Sequence, residues 1–431
     1  MIGPLGLIIV LLAVLLAGGL WVGFSLLAIG IISLETFKNI KVDRFLAGDI
    51  WGTATAIELV TLPLFILMGE ILFRTKLSEN LFSGLSPFVR RFPGRLLHVN
   101  ILGCTLFAAV SGSSAATTAT VGRITISELR SRGYNDKLII GSLAGAGTIG
   151  FLIPPSIPLI IYGVLAEVSI LDLFIAGIIP GVILAFLFML YVGVLAVIDP
   201  TMTPAAGPST TLLQKGYALS KLLPTVLLIC LVVFSMYLGF ASVTEAAAIG
   251  VLGALILSAV ERQFTVKIIW NSLLGTIQTC AMIGLIITGA MFLSKAMARL
   301  RIPSDVANFI ESLALEPFTL ILLLMVFYLA LGCVLDGLST IVMTLPVTLP
   351  LVISAGFDPV WFGVFLIITI EMAQVTPPIG FNLFVLKSLS GNSIASIARS
   401  ALPFCVIMIL LVVLLVIFPE LATWLPKTAM K

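Results

Sequence analysis

Long apolar blocks separated by short polar joints organise this chain. They predict helical membrane segments near residues 4–34, 53–73, 96–130, 138–166, 173–198, 220–239, 243–260, 273–300, 317–355, 358–390 and 400–419. A hydrocarbon core about 30 Å thick takes roughly 20 apolar residues per crossing, which leaves room for about ten to twelve spans. Two blocks, 96–130 and 317–355, are too long for one crossing and are interrupted midway, at Ser111-Gly112-Ser113-Ser114 and at Asp336-Gly337. A polar, glycine-bearing break inside an apolar run suits a helix that enters the membrane, turns and leaves on the same side. Two others, 138–166 and 358–390, carry Pro154-Pro155 and Pro377-Pro378 at their centres. Proline removes a backbone donor and clashes with the preceding turn, so each pair is expected to split its helix into halves with unpaired backbone groups at the break. Gly18-Gly19 offers the first block the option of two short helices.

The interruptions recur in the same order. Gly112 precedes Pro154 by nearly the distance that separates Gly337 from Pro377, and the stretch from Pro154-Pro155 to Pro180 matches that from Pro377-Pro378 to Pro403 without a gap, at an offset of 223. The chain thus reads as two copies of one unit: re-entrant hairpin, broken helix, further span. An odd number of crossings between the hairpins, five in this reading, turns the copies upside down relative to each other, the inverted repeat of secondary transporters. The expected division is 1–95 for scaffold helices and a connecting arm, 96–198 for the first repeat core, 199–316 for the scaffold of the second half, and 317–431 for the second repeat core with a C-terminal helix.

Composition agrees with the pattern: 60% of residues are hydrophobic and 10% charged, with a mean hydropathy of +1.23, the profile of a polytopic membrane protein. The net charge of +3 comes without a basic run, so nothing points to nucleic acid. Lys76, Arg90, Arg91, Arg95, Arg123, Arg130, Arg132 and Lys137 flank the first hairpin, whereas residues 167–172 hold Glu167 and Asp172 and no cation. The positive-inside rule therefore opens that hairpin to the cytoplasm and the second to the opposite face. The apolar run at the N-terminus continues past Ile31 and reads as a first membrane helix, not a cleavable signal. Five scattered cysteines read as small core residues. With His98 the single histidine, hydrolytic or metal chemistry has almost no material, and no cofactor is expected.

What remains is ion and anion chemistry at the breaks. Hard cations such as Na⁺ bind oxygens, and a helix broken within the bilayer offers free carbonyls beside hydroxyls and carboxylates. One cage of this kind is Ser111, Gly112, Ser113 and Ser114 with the freed backbone of Gly145, Gly147 and Thr148; its mate is Asp336, Gly337 and Ser339 with Thr376. Helix N-termini attract carboxylates, so an anionic substrate could sit where the second arms and second half-helices begin. Its candidate side-chain contacts are Ser114, Thr117, Ser156, Asn382 and, further along its arm, Arg123. Small residues such as those of SGSSAATTAT also serve tight helix contacts in membranes. Asp336 is different, because an ionisable group at that depth costs roughly 2.5–3.5 kcal/mol on insertion scales and calls for a partner or a function. Glu371 admits a proton or ion role or a simple hydroxyl pairing; Glu58, Glu70 and Glu245 read as helix-end groups.

The runs SGSSAATTAT (Ser111 to Thr120), GAGTIGFLIPPSIPLIIYG (Gly145 to Gly163), SVTEAAAIGVLGA near Ser242 and VTPPIGFNLFV (Val375 to Val385) resemble the large membrane subunit, DctM type, of tripartite ATP-independent periplasmic (TRAP) transporters. The resemblance covers essentially the whole chain. It implies an all-α elevator transporter of the inner membrane driven by a Na⁺ gradient, its hairpins and broken helices moving against a scaffold. It further implies a small four-helix membrane subunit of the DctQ type as partner, and a periplasmic binding protein that hands over an organic acid, of the C4-dicarboxylate or sialic-acid-like class. The two sodium sites would fall at Ser111–Ser114 with Gly145–Thr148 and at Asp336–Ser339 with Gln374–Pro377. A binding-protein-independent sodium-coupled carboxylate carrier of similar architecture is the alternative.

Overall fold

The computed structural model describes residues 3–38, 42–204, 211–312, 316–378 and 380–429, and the regular structure within them is helical with no strand. The first half runs α1 (Pro4–Ala17), α2 (Val22–Lys38), α3 (Val42–Ala54), α4 (Thr61–Phe73), α5 (Leu77–Val89), α6 (Leu97–Ser111), α7 (Ser114–Ser131), α8 (Asp136–Thr148), α9 (Ile157–Ala166) and α10 (Ile170–Ile198). The second runs α11 (Leu212–Tyr237), α12 (Val243–Val260), α13 (Val266–Arg299), α14 (Ile302–Ser312), α15 (Pro317–Gly332), α16 (Gly337–Ser354), α17 (Pro359–Gln374), α18 (Phe381–Ser390), α19 (Ile394–Ile417) and α20 (Glu420–Ala429).

All four expected breaks are present between helices: α6 from α7, α8 from α9, α15 from α16, and α17 from α18. The first block also divides, into α1 and α2 at Gly18-Gly19. By length and apolarity six helices among the described residues can cross a bilayer, or seven if Val42–Ala54 and Ile57–Phe73, bent by 49°, form one span. That is fewer than ten to twelve, because six further apolar helices are only 10–17 residues long. A helix rises roughly 1.5 Å per residue, so none of these crosses alone. The expectation also missed α5, α14, α20 and all but the last two residues of α3 as elements, because charged and polar residues interrupt each.

Helix starts and lengths recur between the halves. α7 and α16 each have 18 residues and begin at 114 and 337, the same offset as in the sequence, and α8 and α17 begin at 136 and 359, the same distance apart. Packing between halves comes in reciprocal pairs: α7 lies on α18 and α16 on α9, α8 on α19 and α17 on α10, α2 on α13 and α12 on α4.

The centre of this interlock is α8 and α17. From Leu138 to Thr148, and from Trp361 to Gln374, every residue is buried, as expected of helices apolar all round. Small residues let α8 sit there. A Cβ on Gly145 would stand 2.5 Å from the Phe404 ring of α19, which also meets Phe188 and Tyr191 of α10 edge to face, both at 5.2 Å. In α17, Trp361 stacks on Phe365 at 5.5 Å and its indole N–H donates to the Leu415 carbonyl at 2.9 Å. The long helices α10 and α19 turn outward side chains such as Phe186 (62% exposed) and Leu402 (63%) away from the protein, the apolar surface that lipid rather than water would cover.

At one end of the bundle a polar junction ties the halves together. Arg130 donates through Nε to Asp136 at 2.6 Å and through Nη1 to the Ser390 carbonyl at 3.0 Å, and Asn392 donates to the other Asp136 oxygen at 2.6 Å. Burial pushes the Asp136 carboxyl up, but the Arg130 and Asn392 hydrogen bonds and the Arg130 charge outweigh it and hold it below the usual carboxylate value. A group whose pKa falls on folding stabilises the fold above its unfolded value, and that stabilisation is lost as pH drops through the folded one. Asp136→Ala should therefore cost about 1 kcal/mol at neutral pH, the scale of a half-exposed pair. In denaturant unfolding of the detergent-solubilised chain the gap from the parent should close at acid pH below the carboxylate range.

Candidate functional site

The two polar breaks form caps. α6 ends at Gly112, whose backbone is left-handed at φ +56, a conformation in which side chains other than glycine are strained. Ser113 then caps α7, its hydroxyl accepting from the Ala116 N–H at 3.4 Å. At the equivalent position Asp336 caps α16, accepting from the Ser339 N–H at 3.1 Å, with the Ser339 hydroxyl on its other oxygen. Ser156 caps α9, accepting from the Leu159 N–H at 3.5 Å and donating to the Phe151 carbonyl at 2.5 Å. Helix starts carry orphan N–H groups, and each cap removes one.

Both tips open on one cavity of about 1140 Å³. Ser111, Gly112, Ser113 and Ser114 line it from α6 and α7, and Asp336, Gly337 and Ser339 line it from α16. Asn382 and Phe381 at the start of α18, Gln374 at the end of α17 and Phe151 complete that side, and Phe151 and Gln374 are themselves equivalent positions of the two repeats. The lining also takes in Phe24 of α2, Gly69 and Glu70 of α4, and residues of α13 between Gln278 and Ile286. Glu70 pairs with Arg74 at 2.9 Å. Among the described residues no lysine or arginine lines the cavity.

Behind the first tip lies a buried network that joins the two halves. The Ser114 hydroxyl accepts from the Asn382 amide at 2.6 Å and stands 2.9 Å from a Glu371 carboxyl oxygen and 3.1 Å from the Gly147 carbonyl. Its one proton serves either of those acceptors at a time. Glu371 is 1% exposed, and its second oxygen has no hydrogen-bond partner among the described residues. A buried carboxyl half satisfied in this way is costly and points to a function. Gly147 makes the approach possible, since a Cβ there would lie 1.9 Å from the Thr118 hydroxyl.

The remaining candidates are placed as follows. Thr117 is buried and shares a 2.8 Å hydrogen bond with Ser111. Thr148 donates to the Gly145 carbonyl at 2.6 Å and Thr376 to that of Met372 at 2.7 Å, so both side chains turn back on nearby carbonyls of their own segments. Gly145 faces Phe404, and Ser156 is committed to its cap. Arg123 is exposed nine residues beyond the tip and does not line the cavity, because α7 carries it about 13 Å further along its axis. Glu70 is the helix-end group expected, in the last turn of α4 and paired with Arg74, but sequence reasoning missed that it lines the cavity. Its signal was an acid inside an apolar block. Phe151 and the α13 wall had none, and Gln374 was reached only through the family resemblance, in the Gln374–Pro377 break. Glu245 is the helix-end group expected, closing a capping box with Ser242 at 2.7 Å.

Fold and site together define a multi-pass, all-helical membrane protein whose two polar tips meet at a single cavity. Residues 9–421 match the family described as tripartite ATP-independent periplasmic transporter, DctM component. The C4-dicarboxylate TRAP transporter large permease protein DctM of Pseudomonas aeruginosa is 30% identical over 89% of this chain and 90% of its own. The sialic acid TRAP transporter large permease protein SiaM of Vibrio cholerae is 29% identical over 96% of each. Among solved structures the YdaH transporter of Alcanivorax borkumensis aligns with a TM-score of 0.63 at 15% identity, covering 88% of this chain and 87% of that one, which is a likeness of fold. The chain belongs to the DctM family, the large permease component of TRAP transporters.

Two substitutions test the tip without any transport assay. Gly112→Ala should cost about 1–2 kcal/mol, the penalty of a left-handed residue with a side chain. Its new Cβ would also meet the Pro155 carbonyl at 3.0 Å. Ser114→Ala removes a donor from Glu371 and should cost about 1–3 kcal/mol. Denaturant unfolding in detergent measures both, and an unchanged midpoint for Ser114→Ala would remove the network from the account of stability.

Proposed function

We propose that this chain is the sodium-coupled membrane subunit of a TRAP transporter that imports a small organic acid carboxylate across the bacterial inner membrane. The observation that carries the proposal is the convergence of Ser111–Ser114 and Asp336–Ser339 on one cavity. There, hydroxyls, a carboxylate and helix starts stand together inside an apolar bundle. One sodium ion is taken by Ser111, Gly112 and Ser113 with the carbonyls of the α8 break at Gly145 and Gly147; the other by Asp336, Gly337 and Ser339 with the α17 break near Thr376. Oxygen donors of this kind suit a hard cation. The carboxylate of the substrate sits against the N-termini of α7 and α18, beside Ser114 and Asn382, where the positive ends of two helix dipoles supply the charge that no lysine or arginine provides.

The reciprocal pairing of helices across the halves supports a two-fold repeat, because such a relation sends each contact between copies to its equivalent, and the odd number of crossings read from the sequence makes that repeat an inverted one. In this reading α6 to α10 with α15 to α19 make one body and α2, α4 and α13 belong to the other, both contributing to the cavity lining. An elevator step moves the first against the second, and with it tips, ions and substrate. Family membership supports a small membrane subunit on the scaffold and a periplasmic binding protein that delivers the substrate. The relatives named for C4-dicarboxylates and sialic acid support a carboxylate cargo.

Uptake by proteoliposomes holding the permease with its small subunit tests this directly. Accumulation should require an inward Na⁺ gradient and the binding protein, and uptake without the binding protein would favour a self-sufficient carrier. Asp336→Asn should raise the Na⁺ concentration for half-maximal uptake at least several-fold while the protein stays folded; an unchanged Na⁺ dependence removes that ligand.

A further inference from the structure

A second cavity, of about 490 Å³, lies between the α5–α6 turn and the end of α10, lined by Arg91, Phe92, Gly94 and Arg95 on one side and by Ala196 and Pro200 on the other. The turn is built to present its arginines. Gly94 is left-handed at φ +90 and Arg95 follows at φ +48, a conformation that a residue with a long side chain adopts only where its surroundings hold it there. His98 fixes the turn through a 2.5 Å hydrogen bond to the Pro93 carbonyl. The four ion pairs among the described residues take Arg74, Arg130, Arg132 and Lys295. Arg90, Arg91 and Arg95 have no ion-pair partner there. Asp199, next to the lining residue Pro200, spends an oxygen on the Thr201 N–H at 3.1 Å and the Thr201 hydroxyl at 2.5 Å.

Two arginines in one lining with no carboxylate paired to either suit an anion. The surroundings say which kind. Phe92 (57% exposed) lies among the arginines in the lining, and Val197 (65%) and Ile198 (73%) follow the lining residue Ala196 along α10, an exposed apolar apron at the arginine-rich end of the bundle that the positive-inside rule assigns to the cytoplasmic surface. Free phosphate has no use for the apron, whereas a lipid needs both. We infer that this cavity binds the phosphate headgroup of an anionic phospholipid, with Arg95 and Arg91 on the phosphate oxygens and the acyl chains along Phe92 and the last turn of α10. Basic pockets at the cytoplasmic ends of membrane helices are the usual setting for such headgroups. The site lies apart from the transport cavity and shares no lining residue with it.

The test titrates the purified full chain in detergent with short-chain phosphatidylglycerol and follows bound lipid by native mass spectrometry. Each arginine replaced, Arg91→Gln or Arg95→Gln, should weaken binding about fivefold, the weight of one cation at an anionic lipid surface. Arg262→Gln, on the loop after α12, should leave it unchanged. Equal binding by parent and arginine variants overturns the site, and an equal loss in Arg262→Gln reduces it to general surface charge. Inorganic phosphate that competes away the lipid at similar concentration, with the same arginine dependence, would reassign the cavity to a free anion. Arg91 is exposed, so Arg91→Gln keeps the test decisive should Arg95→Gln fail to fold.

Discussion

Where a helix begins inside an apolar bundle, its first N–H groups find no water, and they must meet a side chain, a carbonyl or a ligand. That constraint governs this protein. Ser113, Ser156 and Asp336 each answer it with a cap, and the caps hold open the helix starts from which the cavity is made. A lipid-facing leucine at any of these positions would leave a buried donor unpaired, at a cost of a few kcal/mol. The polar residues are thus tied to the breaks, and the breaks to the site.

Interlock between the halves follows from the same economy of space. No helix as short as α9 or α18 buries itself, so α9 is covered by α16 and α18 by α7. The fully buried pair α8 and α17 occupies the middle because each is apolar on all sides, α8 with residues small enough for Phe404 to press against its backbone. Folding one half without the other would expose the cavity-lining tips and strip Ser114 of both Asn382 and Glu371. The site therefore exists only in the assembled pair.

The two tips are related in position but not in chemistry. Ser113 and Asp336 occupy equivalent caps, one neutral and one charged, and Thr148 and Glu371 occupy equivalent places before the proline breaks, again one neutral and one acidic. Asp336 and Glu371 thus belong to the second half, and Glu371 reaches across to the Ser114 hydroxyl of the first. The duplicated architecture carries divergent donors.

Sequence alone determined the membrane class, the four breaks, and the repetition of one unit along the chain. Each of these is a local matter: apolar length, proline's missing donor, glycine's left-handed backbone. It named Ser111–Ser114 and Asp336–Ser339 because polar groups in an apolar run have few innocent explanations. The tertiary structure decided what faces what. Thr148 and Thr376 turn back on nearby carbonyls of their own segments, Ser156 serves its cap, and Arg123 stands outside the cavity lining; Glu70, Phe151 and the α13 wall enter it instead. A side chain's direction depends on helix rotation and on partners far away along the chain, and no local pattern encodes either.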